Sequence, residues 1–292
     1  MSRSQPTSDF VRVNGIRLHY LDWGGSGPTL IFLTGMGSSA YIFSRIAPRF
    51  TDRFRVLALT RRGHGESDYP DTGYDADTLI EDIRLFMDAL HIETAAFAGT
   101  YPNKVEKLIY LDALDDRRAE SEIIAQNPLR TIHIEREESF PRTVEEYIAN
   151  LKRDIPRLGE IWSELWDEEI SHCVTINESG VVVDKMPEHV ERAMVENLIK
   201  TYAPKTVQAT IPTLNIFAEK HPRLSSRYTK EQKDAFDQFH RDVEQPFFRS
   251  LIAEFQSRFP HANIVVIPDG HHYCFIAQEE LVHHEMRKFL LA

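Results

Sequence analysis

Apolar and polar residues alternate along Phe10-Val-Arg-Val13 and again along Ile16-Arg-Leu-His-Tyr-Leu-Asp22, on either side of Asn14-Gly15. A period of two puts one face of each run against a core, and Asn-Gly closes tight hairpins, so the pattern predicts two antiparallel strands. Residues 1–9 ahead of them read as a frayed tail. The later apolar runs do not alternate. Thr29-Leu-Ile-Phe-Leu33, Arg55-Val-Leu-Ala-Leu-Thr60, the runs within 94–99 and 108–112, Pro212-Thr-Leu-Asn-Ile-Phe217 and Asn263-Ile-Val-Val-Ile267 are continuous, as expected of strands buried on both faces. Between them, Leu79, Ile83, Phe86, Met87 and Leu90 recur at helical spacing and predict an amphipathic helix over 77–90. Further helices are expected near 41–50, over 144–151, 161–170 and 190–199, over 230–258 with a break near Pro246, and from Gln278 to the end.

Composition narrows the class. A chain of 292 residues, 42% hydrophobic and 27% charged, is long enough for a large α/β core with an insertion. Its net charge of −11 argues against a phosphate-backbone partner and against anionic membrane surfaces. No apolar run approaches the ~20 residues that span a bilayer. The polar N-terminus, Met1-Ser-Arg-Ser-Gln-Pro-Thr-Ser, has no apolar signal region, so a cytoplasmic location is expected. Cys173 and Cys274 match no metal spacing and read as two reduced thiols. Neither a metal nor an organic cofactor is implied.

The order of punctuation is the most specific signal. The run 29–33 leads into Thr34-Gly-Met-Gly-Ser-Ser39, and the run 55–60 into Arg61-Arg-Gly-His-Gly-Glu-Ser-Asp68. The run 263–267 leads into Pro268-Asp-Gly-His-His-Tyr-Cys-Phe275. Taken in this order, the hairpin, glycine turn, Arg-Gly-x-Gly-x-Ser loop and terminal histidine loop resemble the α/β-hydrolase fold. That resemblance covers about 10–112 and 210–292. It implies a mostly parallel central sheet with an N-terminal antiparallel hairpin, flanking helices, and a helical cap inserted over 113–209.

The resemblance also implies site residues. The family's histidine stands three residues before an aromatic, which selects His272, with His271 as its neighbour. The acid commonly follows the strand 212–217, but there the text is Ala218-Glu-Lys-His221. Some members place it at the end of the strand before the cap, where Asp112 stands; Asp112 is therefore favoured and Glu219 held in reserve. Gly35 and the Met36 amide stand where the family binds the carbonyl oxygen of its substrate. The nucleophile is missing: no Gly-x-Ser-x-Gly occurs in the chain, and Gly99 runs directly into Thr100-Tyr-Pro-Asn-Lys. Thr100, Ser38, Ser39 and Ser67 are remote substitutes, each more simply an ordinary hydroxyl.

The gap has consequences for fold and function alike. Adjacent parallel strands normally need a crossover of about ten residues or more, usually a helix. Losing a helix from the sheet centre would remove roughly 6–15 kcal/mol of burial. The expected result is an exposed apolar strip and a weakened or self-associating chain. Three functions follow: a hydrolase of a small carboxylic ester or related compound, a non-catalytic ligand-binding descendant, or an inactive deletion product. In each of the first two the partner is a small molecule, not nucleic acid or membrane.

Overall fold

The computed structural model describes residues 5–98, 104–113, 123, 125–130, 140–201, 210–219, 223–224 and 228–292. Strands β1 (Thr7–Val13) and β2 (Ile16–Gly24) form the expected hairpin, with Asn14 and Gly15 both at positive φ in its turn. The tail is shorter than its polarity suggests, because β1 pairs from Thr7 onward, Thr7 opposite Asp22. β3 (Thr29–Leu33) is followed by two short 3₁₀ turns, Ala40–Phe43 and Ala47–Phe50, where one helix is expected from the sequence. Pro48, lacking an amide hydrogen, falls within that stretch and stands at the start of the second turn.

β4 (Arg55–Leu59), helix α1 (Ala76–Ala89), β5 (Ala95–Ala98) and β6 (Val105–Leu111) follow. Asp75 caps α1 by accepting the Thr78 amide at 2.9 Å and the Thr78 hydroxyl at 2.7 Å. Within 113–209 lie α2 (Val144–Asp154), the single turn α3 (Pro156–Glu160), α4 (Glu164–Cys173), a small hairpin of β7 (Val174–Ile176) and β8 (Val182–Asp184), and α5 (Glu188–Thr201). The hairpin was not legible as strands amid the charged residues around it. β9 (Thr213–Glu219), α6 (Lys230–Phe239), α7 (Gln245–Arg258), β10 (Asn263–Pro268), a turn at Cys274–Ala277 and α8 (Glu279–Leu291) complete the chain. The break expected near Pro246 is a wide helical turn, His240–Glu244, with the proline opening α7.

Eight strands form one sheet in the order β1-β2-β4-β3-β5-β6-β9-β10, parallel from β4 onward. β5 and β6 are parallel neighbours with Phe97 opposite Leu108, although six residues separate them, five of them outside the described residues. The Ala95 amide donates to Lys104 O at 3.0 Å, so the chain has returned the full length of β5 by that point. β5 is about 13 Å long, within reach of six extended residues.

Among the described residues, the exposed strip expected over the sheet centre is absent. Ile31, Phe97, Leu108 and Tyr110 are fully buried. They share one apolar cluster with Ile83, Phe86 and Met87 of α1 and with Phe255 of α7. The Phe255 ring meets Tyr110 edge-on at 5.6 Å and Phe217 at 5.8 Å. Aromatic side chains from two helices reach far enough to cover the strands between them, at about 1.5–3 kcal/mol per buried side chain. The surface on which self-association was expected is therefore taken up inside the fold.

Candidate active site

At the C-terminal ends of the parallel strands, three connections come together: the turn after β3, Asp112 after β6, and the loop after β10. Asp112 adopts φ +49°, a left-handed conformation that Asp tolerates better than most residues. Its amide donates to Ile216 O at 2.8 Å, and its Oδ1 accepts the Ala218 amide at 2.9 Å. β9 thus holds one carboxylate oxygen, and the other is turned to the histidine. His272 Nδ1–H donates to Asp112 Oδ2 at 2.7 Å. The carboxylate is 2% exposed and the imidazole 57% exposed. A buried acceptor on Nδ1 fixes the tautomer and leaves the Nε2 lone pair facing outward, where no described residue hydrogen-bonds it. Glu219, the reserve acid, instead accepts Arg249 Nη2 at 2.9 Å.

The loop carrying His272 is fixed from three sides. Gly270 lies so close to β9 that a Cβ there would stand 2.8 Å from Ala218 Cβ and 2.8 Å from Ile267 O. Arg157 of α3 donates to Asp269 Oδ1 at 2.9 Å and to Gly270 O at 3.0 Å. His271 Nε2–H donates to Arg157 O at 3.1 Å, while its Nδ1 accepts the Tyr273 amide at 3.0 Å. Burial, and then the neighbouring guanidinium of Arg157, lower the His271 pKa. Gly270→Ala is expected to push the loop off β9 and to cost about 1–3 kcal/mol. Its thermal melt, together with loss of the Nδ1 hydrogen-bond signature of His272 in an NMR spectrum, checks this.

The turn 35–39 presents Gly35, Met36 and Gly37 to solvent, with Met36 47% exposed. The amides of 35–38 make no hydrogen bond to any described residue. Exposed, unpaired N–H groups in sequence suit an oxyanion or another negatively polarised oxygen.

The serines weighed as substitutes are committed elsewhere. Ser67 Oγ donates to Thr60 O at 2.7 Å and accepts the His19 amide at 2.9 Å. Ser39 is bound to Glu169, and the Ser38 hydroxyl is paired with Tyr273. Thr100 and His221 lie outside the described residues.

Sequence reasoning missed Arg157, Tyr273 and Glu169, which join the intervening segment to the site. Trp166 of α4 meets Tyr273 edge-on at 4.7 Å. The available signal was the spacing of Leu165, Trp166 and Glu169, which places all three on one buried helix face. Among the described residues no helix is long and apolar enough to cross a membrane, and no group of three or more His, Cys, Asp or Glu could hold a metal ion.

Comparison with known proteins agrees with this architecture. A family model for the alpha/beta hydrolase fold matches residues 28–157. The chain is 44% identical over 101 residues to 2-(acetamidomethylene)succinate hydrolase of Mesorhizobium japonicum, 30% of this chain and 36% of that protein. It is 33% identical over 115 residues to the soluble epoxide hydrolase of a Corynebacterium species, 35% of this chain and 40% of that protein. The matched stretches thus span about a third to two fifths of the length of these curated relatives. The whole fold superposes on the crystal structure of E-2-(acetamidomethylene)succinate hydrolase with a TM-score of 0.73 at 21% identity, covering 98% of this chain and 100% of that one. An epoxide hydrolase from Vigna radiata matches with a TM-score of 0.68 at 15% identity over 99% of both chains. With the antiparallel hairpin leading into a parallel sheet and the glycine turn and histidine loop at its strand ends, these matches show that the chain has the α/β-hydrolase fold, with similarity to that family's model over residues 28–157.

Proposed function

We propose that this site binds a small acyl compound, a carboxylic ester or a related carbonyl derivative, and that His272 and Asp112 handle the proton of its hydrolysis. The single observation that carries this reading is the 2.7 Å contact from His272 Nδ1 to the buried Asp112 carboxylate. Asp112 would orient the imidazole and stabilise it once protonated. Gly35 and the Met36 amide would receive the charge developing on the carbonyl oxygen. Segment 113–209 would serve as the cap, since Arg157, Trp166 and Glu169 all join it to the site. That the curated relatives are hydrolases supports the reaction class.

With no Gly-x-Ser-x-Gly in the chain, the attacking group in this reading is water. Its oxygen adds to the carbonyl carbon as one proton passes to His272 Nε2. The bond to the leaving oxygen then breaks, and that oxygen takes the proton back from the imidazole. General-base catalysis of this kind is worth roughly a hundredfold or more. Short-chain nitrophenyl esters offered to the parent chain and to His272→Ala test it. The parent is expected to be at least about a hundredfold faster. Equal background rates in the two would reject catalysis.

A second reading is carried by the missing motif itself: a non-catalytic descendant that keeps the pocket for ligand binding. Tight binding of a small molecule in a thermal-shift screen, without turnover, would select it. Resequencing the gene across the codons for residues 95–105 separates both readings from a deletion product.

A further inference from the structure

Glu169 is a buried carboxylate with no ion-pair partner among the described residues. It is 1% exposed, on the inner face of α4. Its Oε1 accepts the Ser39 amide at 2.6 Å and its Oε2 accepts the Ser39 hydroxyl at 2.5 Å. The Cys173 thiol, one helical turn further along α4, donates to Oε1 at 3.5 Å. Burying a charge without a cation is costly, and structures that do so generally use the group.

What Glu169 grips is the end of the amide-bearing turn. Residues 35–38 donate no backbone hydrogen bond to any described residue, so the turn is not held by backbone pairing of its own. Its attachments come after it or through side chains. The Ala40 amide donates to Thr60 Oγ1 at 2.8 Å, the Ser38 hydroxyl pairs with Tyr273, and Ser39 is held at two points by Glu169. Of these, the double contact to Ser39 comes from 130 residues away, in the segment that also carries Arg157 and Trp166.

We propose that Glu169 is the positioning residue of the turn 35–39: its carboxylate, projecting from α4, holds Ser39 and thereby keeps the amides of Gly35, Met36 and Gly37 open to a ligand's negatively polarised oxygen. The inserted segment and the oxygen-binding turn then form one mechanical unit. A change in how α4 sits alters the turn directly.

Ionisation supplies a signature that packing alone does not. Burial, opposed by the two Ser39 hydrogen bonds, raises the Glu169 carboxyl to about 7. The titratable and charged groups around it are Cys173 and His172 on the same helix, Asp184 and Lys185 at the end of β8, Glu66 on the loop after β4, and Tyr273 on the loop after β10. Lys185 Nζ and His172 Nδ1 both bond Glu66, at 2.7 and 3.1 Å, so the nearby cation is already engaged with another carboxylate.

The test uses the full ¹⁵N-labelled chain and Glu169→Gln, Glu169→Ala and Ser39→Ala variants. In the parent, the Ser39 amide resonance is expected to titrate with a midpoint near 7, and in Glu169→Gln to stay flat over the same range. Glu169→Ala is expected to lower the order parameters of Gly35 to Gly37 from about 0.85 to below about 0.6, while Glu169→Gln keeps them. Ser39→Ala removes one donor to the carboxylate and is expected to raise the midpoint, read on the amide of residue 39; this arm decides if Glu169→Ala does not fold. A flat Ser39 resonance in the parent, unchanged order parameters in Glu169→Ala, or an unmoved midpoint in Ser39→Ala overturns the proposal. As a second readout resting on the hydrolysis reading, the His272-dependent ester rate falls about tenfold in Glu169→Ala and is kept in Glu169→Gln. If the parent shows no such rate, the hydrolysis reading fails and the NMR arms still decide the role of Glu169.

Discussion

Asp82→Ala unfolds at a urea midpoint well below that of the parent chain, with about 3–5 kcal/mol of stability lost. Asp82 and Arg62 are each 4% exposed at their side chains. The guanidinium meets the carboxylate as a fork, Nε to Oδ2 at 2.5 Å and Nη2 to Oδ1 at 2.7 Å. Asn14 Nδ2 adds a bond to Oδ1 at 2.9 Å, and Arg62 Nη1 donates to Thr72 O at 3.3 Å. Removing the carboxylate strands a guanidinium that cannot shed its proton, in a place water does not reach. The guanidinium packs closely on Gly73, where an added Cβ would lie 2.2 Å from Nη1. The same carboxylate ties α1 to the hairpin turn at Asn14, so its loss loosens two elements at once. The double variant Arg62→Met/Asp82→Leu is expected to recover much of the loss, since apolar replacement of both partners leaves no buried charge. A loss below about 1 kcal/mol in Asp82→Ala would show that the pair is compensated by its surroundings.

Acidification of the parent chain changes its stability little between pH 7 and pH 6 and then lowers it steeply below about pH 5. Glu169→Gln begins its decline a full pH unit earlier. Three buried groups set this shape. Burial lowers His19 to about 4, and burial together with Arg61 lowers His64 to about 3, both from 6.5. A histidine with a depressed native pKa binds its proton first in the unfolded chain, so falling pH through the window from 6.5 to 4 favours unfolding. At pH 5 each histidine contributes a loss of about 2 kcal/mol. Glu169 acts in the opposite sense. Its native pKa of about 7 exceeds the unfolded value, so the folded chain takes up that proton first and falling pH stabilises it. Its contribution at pH 5 is about 2.5 kcal/mol, which offsets one histidine but not two. By about pH 4 the histidines dominate, and carboxylates such as Asp75, lowered by its bonds to the Thr78 hydroxyl and amide, add to the loss. Urea titrations at half-unit pH steps on the parent, Glu169→Gln and His64→Gln would show this. Identical profiles for parent and Glu169→Gln would contradict it.

Much of the sheet was legible before any coordinates. Continuous apolar runs mark β3, β4, β9 and β10 because both faces of each strand are covered, and Asn14-Gly15 marks the hairpin because few other dipeptides accept positive φ at both positions. His272 was legible only through resemblance, from its place in the loop after the last strand. Asp112 is favoured over Glu219 through resemblance alone, since no local pattern distinguishes the two carboxylates. In the fold Asp112 Oδ2 meets His272 across 160 residues, while Glu219 turns to Arg249. Arg62–Asp82 and Glu169–Ser39 were likewise invisible, since nothing in a row of charged letters distinguishes a solvated carboxylate from a buried one.

The amino-acid order on its own determined the strands of the central sheet and most of the longer helices, the hairpin turn at Asn14-Gly15, and that no Gly-x-Ser-x-Gly follows β5. Those are properties of neighbours within a few residues, where local periodicity reports local burial. Tertiary structure alone decided that Phe255 and Phe86 help cover the strands beside the short connection from β5 to β6, that Asp112 is the carboxylate at the imidazole, and that Glu169 of α4 grips the turn after β3. Each depends on the distance between groups far apart along the chain, and that distance is set by how the sheet stacks its strands and how the helices close over them.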